Sequence, residues 1–378
     1  MPTEDRGTLA INATLAYETG SPTGLAVYTR ELVSRLISEK DRGPIIVYTN
    51  SEVLRECAGT RFVGVPAGIV PPHRLSSIKR VIWLNTAFPT LLRKRKVDTI
   101  YSTVPEGLVL HDDQLKKVIT IHDLLPLRYP EHYPKQHYYF RFVLPMVVQQ
   151  CSAIICDSTA TRDDVIRLFG QPQCPMTVVP AGFNAALFRP SDSGCQSFET
   201  SVPYFLFVGD MRPYKNVARA LSAFASIAEG NVRFVVVGNT QTRDAPPLFS
   251  LVEQLHIQDR VVFAGYVSDD KVADLYRGAL ALVFPSLWEG FGLPPLEAMA
   301  SGCPVITSHV ASLPEVCGEA VEYVDPASTD AIRGAMERVI RERALREDLR
   351  GRGLERAQLF GWDRTAREVW QVLESVRR

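Results

Sequence analysis

Glu289 and Glu297 stand eight residues apart in FPSLWEGFGLPPLEAMASGCPV, residues 284–305, with the turn Gly290-Phe291-Gly292 between them. A strand expected over Leu280–Phe284 ends at Pro285, and Pro294 and Pro295 suit the first turn of a helix, where their missing amides cost nothing. Gly302 suits the C-terminal end of that helix. A helix start preceded by glycines offers free amides, a positive dipole end and close backbone approach, which together favour a phosphate-like anion. Leu293 would open the helix, and carboxylates on either flank accept hydrogen bonds from sugar or ribose hydroxyls. Singly, each glutamate has a plain structural explanation, as helix-dipole partner or solvated loop residue. The glycine turn between them favours a ligand.

Three more strand ends carry candidate chemistry. In YFLFVGDMRPYKNVARAL the strand from Tyr204 ends at Gly209, and Arg212 and Lys215 precede a helix starting near Asn216. Two cations beside a helix start suit a diphosphate, although an ordinary basic loop reads the same way. Near the N-terminus, Gly20 and Gly24 lie in ETGSPTGLAVYTREL, which is no GxGxxG and argues against a nicotinamide fold. The strand Val118–Ile121 runs into His122-Asp123, a candidate hydrogen-bond donor or acid/base with Asp123 expected to orient it. A histidine satisfied by backbone is the competing account.

Side chains at strand ends need strands to hold them. Short β-branched and aromatic runs without polar alternation recur along the chain, from Leu9–Ala13 to Val321–Val324. Parallel strands covered on both faces look like this. Amphipathic stretches such as Val27–Lys40, Ala218–Glu229 and Asp269–Arg277 alternate with them, so the fold class is α/β, doubly wound. The polar stretch Pro190–Val202 divides the chain. The expected organisation is 1–190, 200–362, and a closing helix over 363–378 that presents Val369, Trp370, Leu373 and Val376 on one face. Ligands of open α/β sheets sit beyond the strands' carboxyl ends, here in a cleft expected between two domains.

Composition narrows the classes further. The 378 residues include 42 Lys plus Arg and 42 Asp plus Glu, so no global basic field exists to hold nucleic acid. At 46% hydrophobic and 22% charged, the chain is ordinary globular material, large enough for two cores. Seven Cys form no CxxC pair and no even framework, which fits a reducing compartment. The acidic start and the lack of a long uncharged apolar run predict a cytoplasmic protein without a signal or spanning helix.

Together these segments resemble the retaining, GT-B-fold glycosyltransferases of family 4, the group 1 glycosyl transferases. Glu289 and Glu297 match the E-x7-E signature, VGDMRPYKN resembles the basic phosphate clamp with Lys215 at the usual lysine, and ITIHDLLP matches the loop bearing the catalytic histidine at His122. VVPAGFNAALFRP, VVFAGYVSDDKVADLYRGALALVFPS and SLPEVCGEAVEYVDP also fit, so the likeness covers nearly the whole chain. Tyr214 departs from it, standing where many members carry a second basic residue. The resemblance implies transfer of a sugar from a nucleotide diphosphate donor, GDP- or UDP-linked, to a hydroxyl of a glycan or lipid-linked acceptor, with retention and without metal or other cofactor. It also implies two Rossmann-like domains and a C-terminal helix returning to the first. In it Arg212, Lys215 and the amides near Phe291 and Gly292 offset the charge of the leaving diphosphate. Glu297 grips the ribose, Glu289 and His122 the donor sugar, Gly24 closes on the phosphate, and the base lies against Gly265–Val267. A mannose donor and surface-polysaccharide synthesis are weakly favoured by SLPEVCGEAVEYVDP.

Residues 73–96, HRLSSIKRVIWLNTAFPTLLRKRK, interleave seven Lys/Arg with apolar residues, a composition that suits an anionic membrane surface at the inner face of the cell membrane. The competing account is a helix packed on its own sheet, limited to either side of Pro89. Two other functions use the same fold or residues: a sugar phosphorylase or nucleotide-sugar epimerase, and a catalytically idle nucleotide-binding scaffold. A glycoside hydrolase is disfavoured, since its acid and nucleophile need no anion site between them.

Overall fold

A computed structural model describes residues 7–17, 23–39, 42–56, 60–71, 75–110, 112, 114–190, 202–229 and 231–378. Among the described residues, thirteen short strands form where the apolar runs predict them. The first seven are β1 Thr8–Asn12, β2 Ile45–Tyr48, β3 Arg61–Val63, β4 Val97–Ser102, β5 Lys116–Ile121, β6 Ala153–Cys156 and β7 Met176–Val178. The next six are β8 Tyr204–Val208, β9 Arg233–Val237, β10 Val261–Gly265, β11 Ala281–Phe284, β12 Val305–Ser308 and β13 Glu322–Val324. They make a seven-stranded sheet, β3-β2-β1-β4-β5-β6-β7, and a six-stranded sheet, β10-β9-β8-β11-β12-β13. Every pairing is parallel. The strand order reverses direction beside β1 in one sheet and beside β8 in the other, the place where loops part and a ligand can enter.

The chain divides into two compact units, residues 1–182 with 362–378, and residues 183–361. The division falls at Gly182–Phe183, ahead of the polar stretch 190–202, most of which (191–201) lies outside the described residues. Packing explains the earlier boundary. Phe188 is buried edge-on to Tyr276, and Arg277 donates to the carbonyls of Leu187 and Arg189, so 183–190 belongs to the second unit.

The helix Trp362–Arg377 packs on the helix Gly24–Ser38 of the first unit and reaches β5 and β6. Val369, Trp370 and Leu373 are buried as their spacing predicts, and Val372 widens the stripe. Burying such side chains is worth roughly 1.5–3 kcal/mol each. Polar contacts fix the register: Thr365 Oγ1 donates to the Pro180 carbonyl at 2.7 Å, and Arg35 pairs with Asp363 at 2.8 Å.

Residues 75–96 form two helices, Ser76–Asn85 and Ala87–Lys94, with the break at Thr86; Pro89 is accommodated in the first turn of the second rather than ending it. Trp83, Phe88 and Leu92 pack inward on the sheet, and Arg80 is buried against Glu106. Leu75, Ile78 and Ile82 face outward, so the stretch is part core and part surface; residues 72–74 lie outside the described set. Among the described residues no helix is long and apolar enough to cross a membrane, and the five cysteines described are unpaired thiols.

Candidate functional site

In the second unit the strand ends make a floor of bare backbone. Gly209 and Gly238 directly follow β8 and β9, and Gly265 ends β10, with Gly209 N donating to the Val237 carbonyl and Gly238 N to the Gly265 carbonyl, both at 3.0 Å. A Cβ on Gly238 would stand 2.0 Å from the Gly209 carbonyl oxygen. Gly209 and Gly265 have φ of 153° and 68°, conformations that suit glycine. Val267 follows two residues beyond, half-buried, at the entrance to the helix Asp269–Gly278. Gly238 was not among the sequence candidates, although its signal, a glycine directly after VVV, is the same as that of Gly209.

Lys215 ends the short turn Pro213–Lys215, which Asn216 terminates in the left-handed region at φ 62°. Asn216 is buried, and its Nδ2 donates to the carbonyls of Pro285 at 2.9 Å and Pro326 at 2.8 Å. Leu287 N donates to the Tyr214 carbonyl at 2.7 Å. These bonds tie the lysine's turn to the loop after β11. Lys215 Nζ then donates to both carboxylate oxygens of Glu289, at 2.8 and 2.9 Å, and lies 5.2 Å from the Phe284 ring centroid. Lysine and glutamate, assigned separately to phosphate and sugar by the resemblance, are thus one part-buried pair. Glu289 is only 7% exposed, which removes the solvated-loop account. Arg212 pairs with Asp210 at 3.1 Å. The Tyr214 side chain is buried, so a second basic residue at this position would have no water to face.

The turn 289–292 is held from behind. Ser312 Oγ, fully buried, donates toward the carbonyls of Glu289 at 3.0 Å and Phe291 at 2.8 Å. The Phe291 ring is buried 6.0 Å from that of Phe360, so this residue offers the site its backbone and not its ring. Gly290 precedes it, and Gly292, at φ 112°, starts the helix Leu293–Ala300; a side chain there would meet Leu313 at 2.9 Å. Pro294 and Pro295 carry no N–H, so the amide donors at that helix end are those of Leu293 and of Gly292 before it.

Glu297 differs from the carboxylate the sequence suggested. Burial, and secondarily the charge of Asp269, push its carboxyl up to about 8, so it is protonated at neutral pH. Tyr276 Oη lies 3.5 Å from its Oε2.

In the first unit His122 sits at the end of β5, 8% exposed. Asp123 does not orient it; the Asp123 carboxylate accepts from Leu125 N at 2.9 Å. The orienting carboxylate is Asp157, whose Oδ2 is 2.5 Å from Nδ1, while Nε2 is 2.8 Å from the Thr103 carbonyl oxygen. Gly24 opens the helix Gly24–Ser38, capped by Thr23; Gly20 lies outside the described residues. Among the described residues no group of three or more His, Cys, Asp or Glu side chains is arranged to hold a metal.

A cavity of about 480 Å³ lined by Tyr204, Arg277, Gly302, Arg346 and Arg350 lies at the amino ends of β8 and β11. Arg277 and Arg346 are spent on carbonyls there, so its volume outweighs its chemistry. Asn216→Ala should cost about 1–2 kcal/mol by stranding the Pro285 carbonyl, while the Pro326 carbonyl keeps Arg219 Nη1 at 2.9 Å. It should also loosen Lys215; thermal melts with parallel donor-binding assays check both, and unchanged binding would show that the lysine needs no such anchor.

Two family models match the chain: "Glycosyltransferase Family 4" over residues 22–187 and "Glycosyl transferases group 1" over residues 192–356. The chain is 28% identical over 356 residues to the O-antigen chain mannosyltransferase B of Escherichia coli, covering 90% of this chain and 93% of that one. It is 29% identical to the O-antigen chain mannosyltransferase RfbU of Salmonella typhimurium, over 84% of this chain and 88% of that one. Among solved structures, a sucrose-phosphate synthase from Thermosynechococcus elongatus superposes with a TM-score of 0.79 at 22% identity, covering 98% and 99% of the two chains. Anabaena HepE in complex with UDP and glucose does so with a TM-score of 0.73 at 17% identity, covering 98% and 100%. These superpositions speak for the GT-B fold.

Proposed function

Because the chain belongs to the group 1 glycosyl transferases, we propose that it moves a mannosyl group from a nucleotide diphosphate donor, GDP- or UDP-linked, to a hydroxyl of a glycan or lipid-linked acceptor in surface-polysaccharide synthesis. The observation that carries the reading is the part-buried Lys215–Glu289 pair beside the helix start at Gly292. A cation and free amides at one glycine-lined edge suit a departing diphosphate, where charge develops as the glycosidic bond breaks. Glu289 is then within reach of sugar hydroxyls, and Glu297 of the ribose. Arg212 supplies further positive charge or donors, His122 supplies positive charge, and Gly209 and Val267 line the nucleotide's backbone surface. In this proposal the anomeric configuration is retained and the chain's own cations serve in place of a metal. The mannosyltransferase relatives support the sugar, and the outward Leu75, Ile78 and Ile82 with nearby Lys79 support peripheral contact with the inner face of the cell membrane.

The test is a thermal-shift panel of GDP-, UDP-, ADP- and dTDP-sugars, followed by diphosphate release with and without an acceptor. A saturating cognate donor should raise the melting temperature by several degrees, since a ligand that binds only the native state stabilises it. Acceptor-dependent release from GDP-mannose is the expected result. No shift with any nucleotide sugar, or release that ignores every hydroxyl acceptor, would overturn the reading.

A further inference from the structure

We infer that Asp157 is a positioning residue for His122, fixing its imidazole as a doubly protonated cation that serves turnover as standing positive charge and not as a proton carrier. The inference rests on the proposed part of His122 in turnover; the geometry stands apart from it. Asp157 follows β6 directly and is 5% exposed, with its Oδ2 2.5 Å from His122 Nδ1. On the ring's other side, Nε2 is 2.8 Å from the Thr103 carbonyl oxygen, at the end of β4. A carbonyl oxygen only accepts, so Nε2 carries a proton. In the proposal Asp157 meets Nδ1 as an acceptor, and Nδ1 carries the second. Three strand ends, β4, β5 and β6, therefore hold one imidazolium.

Among the described residues, burial is the influence that opposes this charge. Tyr28, on the helix Gly24–Ser38, meets it edge-on with centroids 4.5 Å apart, and Asp123 adds negative charge from the same loop. The His122 carbonyl accepts from Thr161 Oγ1 at 3.0 Å, which pins the backbone under the ring. Asp157 Oδ1 is buried with no hydrogen-bond partner, so little spreads the carboxylate's charge away from His122. Burial alone would lower the imidazole's pKa, but Asp157, the Thr103 carbonyl and Asp123 together raise it above the ordinary 6.5. A proton carrier needs a ring nitrogen free to meet the reacting group, and both of His122's are held by protein oxygens.

The experiment is NMR titration of the full-length protein labelled at histidine, with His122→Ala supplying the assignment, beside pH–rate profiles of the wild type, Asp157→Asn and Asp157→Glu. The expected wild-type His122 resonances titrate above the ordinary 6.5, and the histidine limb of the turnover profile moves up with them. In Asp157→Asn the ring should titrate at or below about 6.5, where only about one site in thirty stays protonated at pH 8. Turnover of that variant should therefore fall roughly thirty-fold between its own value at pH 5.5 and pH 8, further than the wild type's over the same range, and Asp157→Glu should restore part of it. Wild-type His122 titrating at or below 6.5, or an Asp157→Asn profile parallel to the wild type, overturns the inference. Full turnover by His122→Ala would instead remove His122 from the proposed reaction, and the wild-type titration would still decide the pairing with Asp157.

Discussion

Lys215→Ala is expected to cost turnover about two to three orders of magnitude, the usual effect of deleting one preorganised donor aimed at developing charge. Lys215 also neutralises Glu289, so the variant leaves a buried carboxylate unpaired, which by itself destabilises by roughly 3–5 kcal/mol unless the group takes a proton. These two losses must be told apart. Glu289→Gln leaves the lysine unpaired in the same way, whereas the double variant Lys215→Ala/Glu289→Gln removes the uncompensated charge altogether. Thermal melts should therefore place the double variant above at least one single variant, a coupling expected of residues in direct contact. Turnover should not follow that recovery, because the double variant lacks both the cation and the carboxylate. Steady-state rates measured well below each variant's melting temperature check the prediction. A Lys215→Ala enzyme within tenfold of the wild-type rate would remove the lysine from the proposed chemistry. Turnover that rises with stability in the double variant would make the pair structural.

The fold was legible because its signal is local. Runs such as FLFV and FVVV are continuous in apolar character, as parallel strands covered on both faces must be, and the strands Tyr204–Val208 and Arg233–Val237 form where those runs lie. The glycine turn and the prolines near Glu289 also work through neighbours in sequence, so the helix start at Gly292 could be placed from the chain alone. Pairings across the fold could not. Lys215 and Glu289 are 74 residues apart, and His122 and Asp157 are 35 apart. Periodicity carries no record of which strand ends become neighbours, and so Asp123, adjacent in sequence, stood in for Asp157. Asn216 and Ser312 escaped notice for a related reason. Their work is to satisfy carbonyls from distant loops, and a polar residue beside a turn reads as a cap or a solvated side chain. The ionisation of Glu297 was hidden too, because desolvation depends on what packs around a group and not on its type.

That ionisation yields the second large effect. The Glu297 carboxyl titrates at about 8 in the folded protein, against an ordinary value of 4.5. The raised value means that the fold favours the protonated form. Below about pH 4.5 both states are protonated and the stabilisation is complete. As pH rises, the unfolded chain ionises first, and stability drains away until the folded carboxyl ionises near pH 8. Each unit of separation is worth about 1.4 kcal/mol, so the loss over the window amounts to a few kcal/mol. Glu297→Gln removes this slope. The variant should match the wild type near pH 5 and exceed it in denaturant midpoint at pH 8.5. Binding should run the other way. Two ribose hydroxyls donating to the ionised carboxylate would stabilise it, so donor binding below pH 8 should expel the proton. Wild-type affinity for a nucleoside diphosphate should then rise with pH relative to Glu297→Gln and level off above 8; the ratio cancels the titration of the ligand's own phosphate. Calorimetry in two buffers of different ionisation enthalpy would count the proton released. A ratio that stays flat from pH 6 to 9 would mean that the ribose meets a neutral carboxyl, or none. Glu297 would then owe its place to Tyr276 and the helix Leu293–Ala300, and not to the donor.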